Sequence, residues 1–431
     1  MATLFPLPDN HGQRFKLHNE VHARASVILE LPVRCSHLAL LLTHEEKLQA
    51  RAHLNLLCDR FGVTTPNKDA DHFTAVFDSF QIRWEQHAEF ISYTFYVQNV
   101  EGDPFDAPAL EQVPIDWLSE LPGKTMVAAH ATIIPATEKE PDLEKLSAYF
   151  SDNPLVGAEV SGGAAQAFTD FRIHVDGFSR FLIIDHSLKT QQAGRLLQRL
   201  FEIEVYRVMA LLAFPVAKQL IPKVNQGDKR LLAITQAISE EDNDDNILLD
   251  ELTTLAAEVE NHISSNHFRF GAADAYYKLV EQRIADLREN RIQGIQTIGE
   301  FMNRRLEPAI NTCHTTDKRF TLLSKRISNT SQLLRTRVDM SIERQNQALL
   351  TSMDLRAKMQ LRLQETVEGV SIVAITTYVV SLIGSVSDAL KKIGWNIEPD
   401  VVSGFAVPFV LLIVALGVRR VHKMIQNTED E

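Results

Sequence analysis

The spacing of apolar positions changes twice along the 431-residue chain, and each change predicts a different kind of structure. From about Pro32 to Ser187 the pattern is mixed. Val33 to Leu42 reads as a buried strand, and Glu45 to Phe61 as an amphipathic helix with Leu48, Ala52 and Leu56 on one side. Phe73 to Phe77, Ile82 to Trp84, Ile91 to Val97 and Met126 to Ile134 read as further strands, the third alternating as Ile91, Tyr93, Phe95, Val97. Phe171 to Val175, Asp176-Gly177 and Phe178 to Ile184 read as a hairpin, because Asp-Gly supplies the positive φ of a tight turn. Short connections of this kind favour an antiparallel or mixed sheet. A doubly wound nucleotide fold needs strict strand-helix alternation and a Gly-rich first turn, and neither is present.

From Lys189 onward the spacing is helical, with breaks expected at Pro215, Pro222 to Asp228, Glu240 to Asn246 and Glu307 to Thr316. Ile284, Leu287, Ile295, Ile298, Met302 and Leu306 recur at helical spacing, and so do Leu323, Ile327, Leu334, Val338, Ile342, Leu349, Leu363 and Val367. Leu334, Val338 and Ile342 are expected to be buried between helices. The last series implies a helix from Asp317 to about Ser387, on the order of 100 Å long at ~1.5 Å per residue. Its end is the uncharged stretch Gly369 to Ser387, and a second uncharged stretch runs from Val401 to Val418. Each reaches roughly 28 Å as a helix, close to the ~30 Å of a bilayer core. The link from Asp388 to Asp400 is too short for a domain, so the pair forms a helical hairpin.

Charge places the hairpin. Arg356, Lys358, Arg362, Arg419, Arg420 and Lys423 flank its open end, against Lys391 and Lys392 in the link, which puts the bulk of the chain and both termini in the cytoplasm. The expected organisation is an α/β domain over residues 1–188, a long-helix stalk over 189–366, the hairpin over 367–420 and a tail over 421–431. The fold class is therefore α+β, with a mixed or antiparallel sheet, a helical stalk and a two-helix transmembrane hairpin. Apolar seams at heptad-like spacing call for a neighbouring helix in the chain or a second subunit, so a homo-oligomer is expected. A net charge of −12, with bases interleaved among acids, argues against a nucleic-acid surface. Cys35, Cys58 and Cys313 are three, widely spaced and without a CxxC pair, as for reduced cytoplasmic thiols.

Four groups of polar residues carry candidate chemistry. Arg14, His18, Asn19, Glu20, His22 and Arg24 form the densest cluster. On a helix His18 and His22 are four apart, a spacing that can hold a transition metal, but no third ligand of an HExxH site follows. An ion-pair cluster that pins the N-terminal segment is the favoured reading. Arg83, Glu85, His87 and Glu89 alternate along a strand; if it continued straight, they would share a face with Ile91 and Tyr93, so either the chain turns near His87 and Ala88, the favoured reading, or the carboxylates enter the core. Nothing nearby supplies a nucleophile and oxyanion donors in a recognisable order. Asp185-His186-Ser187 spells a triad, yet neighbours on a strand point to opposite faces. Thr377, Ser381 and Ser385 make a hydroxyl stripe on the first apolar span, more in keeping with helix packing than with a water path.

Three blocks are familiar: LPDNHGQRFKLHNEVHARA, YYKLVEQRIADLRENRIQGIQTIGEFMNRRLEPA, and LLRTRVDMSIERQNQALLTSMDLRAKMQLRLQETVEGVSIVAITTYVV. In this order they resemble a bacterial family catalogued as domain of unknown function 3422. The resemblance spans essentially the whole chain and implies a membrane-anchored protein of the bacterial inner membrane, with no particular reaction. The layout is also similar to two-span CorA-type magnesium channels, whose outer link carries Gly-Met-Asn where this chain has Gly394-Trp395-Asn396. That likeness implies a divalent cation as cargo, with Gly394 and Asn396 as loop residues. The leading expectation is a non-enzymatic membrane-anchored scaffold or regulatory module whose cytoplasmic domain binds a protein partner or small ligand, without a bound cofactor. A cation channel ranks second and an enzyme third.

Overall fold

The computed structural model describes residues 8–15, 17–18, 27–68, 70–98, 102–137, 142–240, 243–394, 396 and 398–429, with side chains through residue 421. The chain falls into two compact units, Met1–Ser331 and Gln332–Glu431.

The first unit is built on one nine-stranded sheet. In chain order its elements are β1 (Val33–Leu41), α1 (His44–Arg60), β2 (His72–Val76), β3 (Gln81–Gln86), β4 (Phe90–Gln98), α2 (Ile115–Ser119), β5 (Lys124–Pro135), α3 (Leu143–Ala148), β6 (Val156–Val160), β7 (Ala165–Thr169) and β8 (Ser179–Asp185). There follow α4 (Thr190–Leu211), α5 (Ala213–Ser239), α6 (Asp245–Leu287), β9 (Asn290–Arg291) and α7 (Ile298–Arg305). The strand order is β2-β3-β4-β1-β5-β8-β7-β6-β9. Neighbours are antiparallel except β5 and β8, so the sheet is mixed, as the short connections imply.

Both faces of the sheet are covered, which is why β1 carries apolar residues on each side. Cys35 and Ala39 join Leu196, Leu197, Leu200 and Phe201 of α4 in one core, while Leu38 and Leu40 join Leu54 and Leu57 of α1 and Trp117 of α2 in another. Helix α1 opens on a capping box, with Glu46 N–H donating to the Thr43 hydroxyl at 3.3 Å and Thr43 N–H to the Glu46 carboxylate at 2.7 Å. Its buried face is Ala50, His53, Leu54, Leu57 and Cys58. Leu48 and Leu56, expected inside, are 64% and 62% exposed. The reason is His53, whose ring stacks on Trp117 and whose Nε2 lies 2.8 Å from the Trp117 carbonyl, so a polar residue defines the inner face.

Several expected connections differ. The turn at Asp176-Gly177 forms, but Phe171 to Val175 is not a strand. The partner of β8 is Ala165–Thr169, and a tighter hairpin joins β6 to β7 through Ser161, Gly162 and Gly163, all at positive φ. Pro215 and Pro308 lie in the first turns of α5 and of the next long helix, where the missing N–H has no intrahelical partner to lose, so each proline begins a helix where a break was expected. Pro222 and Gly227 lie inside α5, whose Ala217, Leu220, Val224, Leu231 and Ile234 are buried, and that packing outweighs the local cost of a proline. At the break expected over Glu240 to Asn246, α5 ends at Ser239 and α6 begins at Asp245. An unexpected one falls after Leu287, where Arg288 takes a left-handed φ of 53° and β9 adds to the outer edge of β6.

Gly194 of α4 sits against the crossing chain, and an added Cβ would lie 1.9 Å from the Val27 carbonyl oxygen. That contact is with backbone. Gly194→Ala is expected to cost about 2–4 kcal/mol in denaturant unfolding, because a backbone segment must move. Gly227→Ala meets only the end of the Leu323 side chain, at 2.7 Å, and should cost less; equal losses would refute this account.

Helix α8 (Glu307–Lys392) is continuous across the boundary of the two units, and α9 (Pro399–Glu429) completes the second. Leu323, Ile327 and Leu334 are buried at 1%, 1% and 0% exposure, and beyond them Thr376 and Ser387 are the buried positions of α8 among the described residues. Val338 is half-buried and Ile342 is 51% exposed, so the series expected inside is buried only at its start. Windows within α8 and α9 are long and apolar enough to cross a membrane, with only 6% of each buried. They approach closely at Gly384, where an added Cβ would lie 3.1 Å from the Ser403 hydroxyl oxygen.

Candidate functional site

The register of three strands assembles a polar pocket on the α4 face of the sheet. His37 of β1 pairs with Thr94 of β4, and Thr94 with Arg83 of β3, so their side chains form one row; Ser92 and Glu85 form the next. Helix α4 closes the pocket with Gln198, Phe201, Glu202, Val205 and Tyr206, which share one face by their spacing of three and four. His87, Phe90 and Tyr96 complete the wall. The space enclosed is about 30 Å³, room for one or two waters.

Its chemistry is that of charge held away from water. Arg83 donates to Glu85 at 2.9 Å, and the two side chains are only 5% and 12% exposed. Burial pushes the Glu85 carboxyl up, but the hydrogen bond and charge of Arg83 outweigh it and hold the group below the usual carboxylate range. Glu202 accepts from Gln198 at 2.8 Å and pairs with Arg283 of α6. His37 stacks on Phe201 with ring centroids 4.6 Å apart, and its Nδ1 lies 2.8 Å from the Thr94 hydroxyl. Its Nε2 is buried without a hydrogen-bond partner, and burial lowers its pKa to about 3, so the ring is neutral. Burial also raises the Tyr96 and Tyr206 hydroxyls well above the tyrosine range, so both remain donors. Two residues after His87, Glu89 makes a two-pronged ion pair with Arg269 of α6, at 2.6 and 3.1 Å.

Of the expected cluster, Glu85 and His87 line this pocket while Glu89 pairs with Arg269, with the turn at residues 87–89 where it was expected, and Arg83 and Glu85 still enter the interior. His37, Ser92, Thr94, Tyr96 and Glu202 were not singled out from sequence. The available signal was the second alternation within Ile91 to Val97, where Ser92, Thr94 and Tyr96 occupy the face opposite Ile91, Tyr93 and Phe95. Of the N-terminal cluster, Arg14 and His18 are exposed, while Asn19, Glu20, His22 and Arg24 lie outside the described residues, and so does Trp395. Among the described residues no group of His, Cys, Asp and Glu could hold a metal ion. Thr377 and Ser385 are exposed and donate to the carbonyls of Val373 and Ser381, whereas Thr376 and Ser387 are the buried hydroxyls of these helices. Ser381 and Asn396 are exposed as well, and Gly394, at φ 103°, follows the end of α8.

A Ser-His-Asp grouping does form, from positions other than Asp185-His186-Ser187. Ser151 Oγ lies 3.3 Å from His174 Nδ1, and Asp170 Oδ2 lies 3.1 Å from His174 Nε2 but outside hydrogen-bond alignment. The N–H groups of Ser151, Asp152 and Asn153 all donate to carbonyls of the preceding turn, so this turn offers no oxyanion donors. Asp170 also accepts from Asn153 and from the Arg172 N–H. The grouping fastens the 170–178 loop to the turn after α3. It is an anchor of the fold.

No curated protein matches the sequence. The family described as "Protein of unknown function (DUF3422)" matches residues 9–425, nearly the whole chain, and the protein belongs to that family.

Proposed function

We propose that this chain is a membrane-anchored regulatory module of the bacterial inner membrane, a homo-oligomer with its folded unit and both termini on the cytoplasmic side, whose polar pocket binds a small polar ligand. The observation that supports a ligand site is the His37 Nε2 atom, buried and without a hydrogen-bond partner in a pocket that hydroxyls and ion pairs line together with Phe90, Phe201 and Val205. An interior that serves packing alone would be expected to satisfy or omit such a group. The anchor reading draws on the two apolar helices and on the basic residues that flank their open end.

The test is a thermal-shift screen of the full-length protein against the smallest carboxylates and amines, such as formate and methylamine, one at a time, because the pocket has room for one or two waters. A binder at about 100 times its Kd adds about 2.7 kcal/mol to the folded state. The expected result is a rise in Tm with one chemical class that is lost in Gln198→Leu and Tyr206→Phe. No shift with any class, or a shift both variants retain, would count against the pocket. For the anchor, a reporter fused after Glu431 should be active only in the cytoplasm.

A further inference from the structure

The groups that line the α4-face pocket differ in the hydrogen bonds they leave open, and the open ones ask for a donor. Ser92, Tyr96 and Tyr206 carry hydroxyls, which rotate to give or to take. Glu85 has no such freedom. Arg83 donates to its Oε1 and holds the group ionised, so Oε2, which accepts no hydrogen bond among the described residues, is a fixed acceptor. His37 supplies another. Its neutral ring carries one hydrogen, and with that hydrogen on Nδ1, toward the Thr94 hydroxyl 2.8 Å away, the partnerless Nε2 presents a lone pair.

The charges of the wall point the same way. Among the described residues two carboxylates, Glu85 and Glu202, stand in it against one guanidinium, Arg83, because Arg283 meets Glu202 from α6 without lining the pocket. The Gln198 amide, a donor of fixed kind, is already given to Glu202. An anion placed here would set its oxygens against carboxylates, whereas a cation that carries N–H groups meets open acceptors and the excess of negative charge together. Water would serve the acceptors but leave that charge as it is. Size completes the description. The space of about 30 Å³ holds one or two water-sized groups, which is a nitrogen and at most one carbon, and Phe90, Phe201 and Val205 are the apolar part of the wall for the carbon.

We propose that the pocket takes a small primary ammonium ion, ammonium itself or methylammonium, whose N–H groups donate to Glu85 Oε2 and His37 Nε2. This names the ligand class of the proposed function and rests on that reading. The full-length protein at pH 7.5, where methylamine is protonated as a lysine is, is titrated with methylammonium chloride, potassium chloride and potassium formate at equal concentrations, and Tm is followed. Potassium has the charge but no hydrogen to give, and formate has the opposite charge. Methylammonium should raise Tm at least about five-fold more than either potassium salt. Arg83→Met/Glu85→Leu, which removes the fixed acceptor together with its partner, should abolish that excess. A rise with formate alone would overturn this inference and leave the ligand site standing. No rise beyond that of potassium chloride with any salt would overturn both. An equal rise with methylammonium chloride and potassium chloride, or an excess that the double variant keeps, would place the effect on charge alone or elsewhere on the molecule and overturn the inference as well. The comparison of the three salts on wild type decides without any variant.

Discussion

Arg83→Met is expected to destabilise the first unit by about 3–5 kcal/mol at neutral pH, because it leaves the Glu85 carboxylate buried without its partner. The penalty has a pH signature. In wild type Arg83 holds the Glu85 carboxyl below its ordinary value, whereas without Arg83 burial alone acts and raises it above the unfolded value. Such a group favours folding only when protonated, so the difference between variant and wild type should shrink as pH falls from 7.5 toward 5. Arg83→Met/Glu85→Leu removes both charges and should recover most of the loss, since a buried ion pair and an apolar pair of similar volume are often close in stability. Denaturant unfolding of the three proteins across that range is the measurement. A loss under 1 kcal/mol for Arg83→Met would mean that water reaches Glu85 freely.

Acid should weaken the folded unit well above the range where carboxylates titrate. Burial lowers His37 to about 3 and His130 to about 4 from an ordinary value of 6.5. Below pH 6.5 the unfolded chain therefore binds protons that the folded one excludes, and stability falls with pH until the folded values are reached. Each residue contributes up to about 1.4 kcal/mol per pH unit over that window. Both rings are held in place, His130 by the Ser36 hydroxyl 2.9 Å from its Nδ1 and by stacking on Phe178, His37 by Thr94 and Phe201. Unfolding free energies measured between pH 7.5 and 5 should show the slope, and His37→Gln or His130→Gln should each remove about half of it. Variants that keep the full wild-type slope would contradict the assignment.

Element types were legible wherever one physical preference acted alone. The strands at 33–41, 72–76, 90–98 and 124–135 and the apolar spans all follow from spacing. Proline misled where position mattered more than identity, because Pro215 and Pro308 begin helices that their mere presence suggested would end. The face of α1 was hidden by His53, a polar residue that looks solvent-facing until Trp117 supplies both a ring and a carbonyl. For the site, Arg83, Glu85 and His87 could be picked out as a strip of charge, but their depth could not. That depth depends on α4, whose Gln198 and Glu202 look like the solvated positions of any amphipathic helix. His37 joins them only through the register of β1 with β4, a property of two strands about fifty residues apart that neither strand carries by itself.

The pairing of β9 with β6 gives the chain a timetable. Residues 290 and 291 cap the edge strand β6, which ends at Val160. At roughly 5–20 residues per second, synthesis leaves that edge open for on the order of 6–26 s, the interval in which an unpaired strand is most open to a wrong partner. The edge closes before Gly369, where the first apolar span begins, has been made. Nascent chains stalled before Asn290 should therefore aggregate through β6, and those stalled between Arg291 and Gly369 should stay soluble, each holding a finished sheet before the first long apolar segment exists.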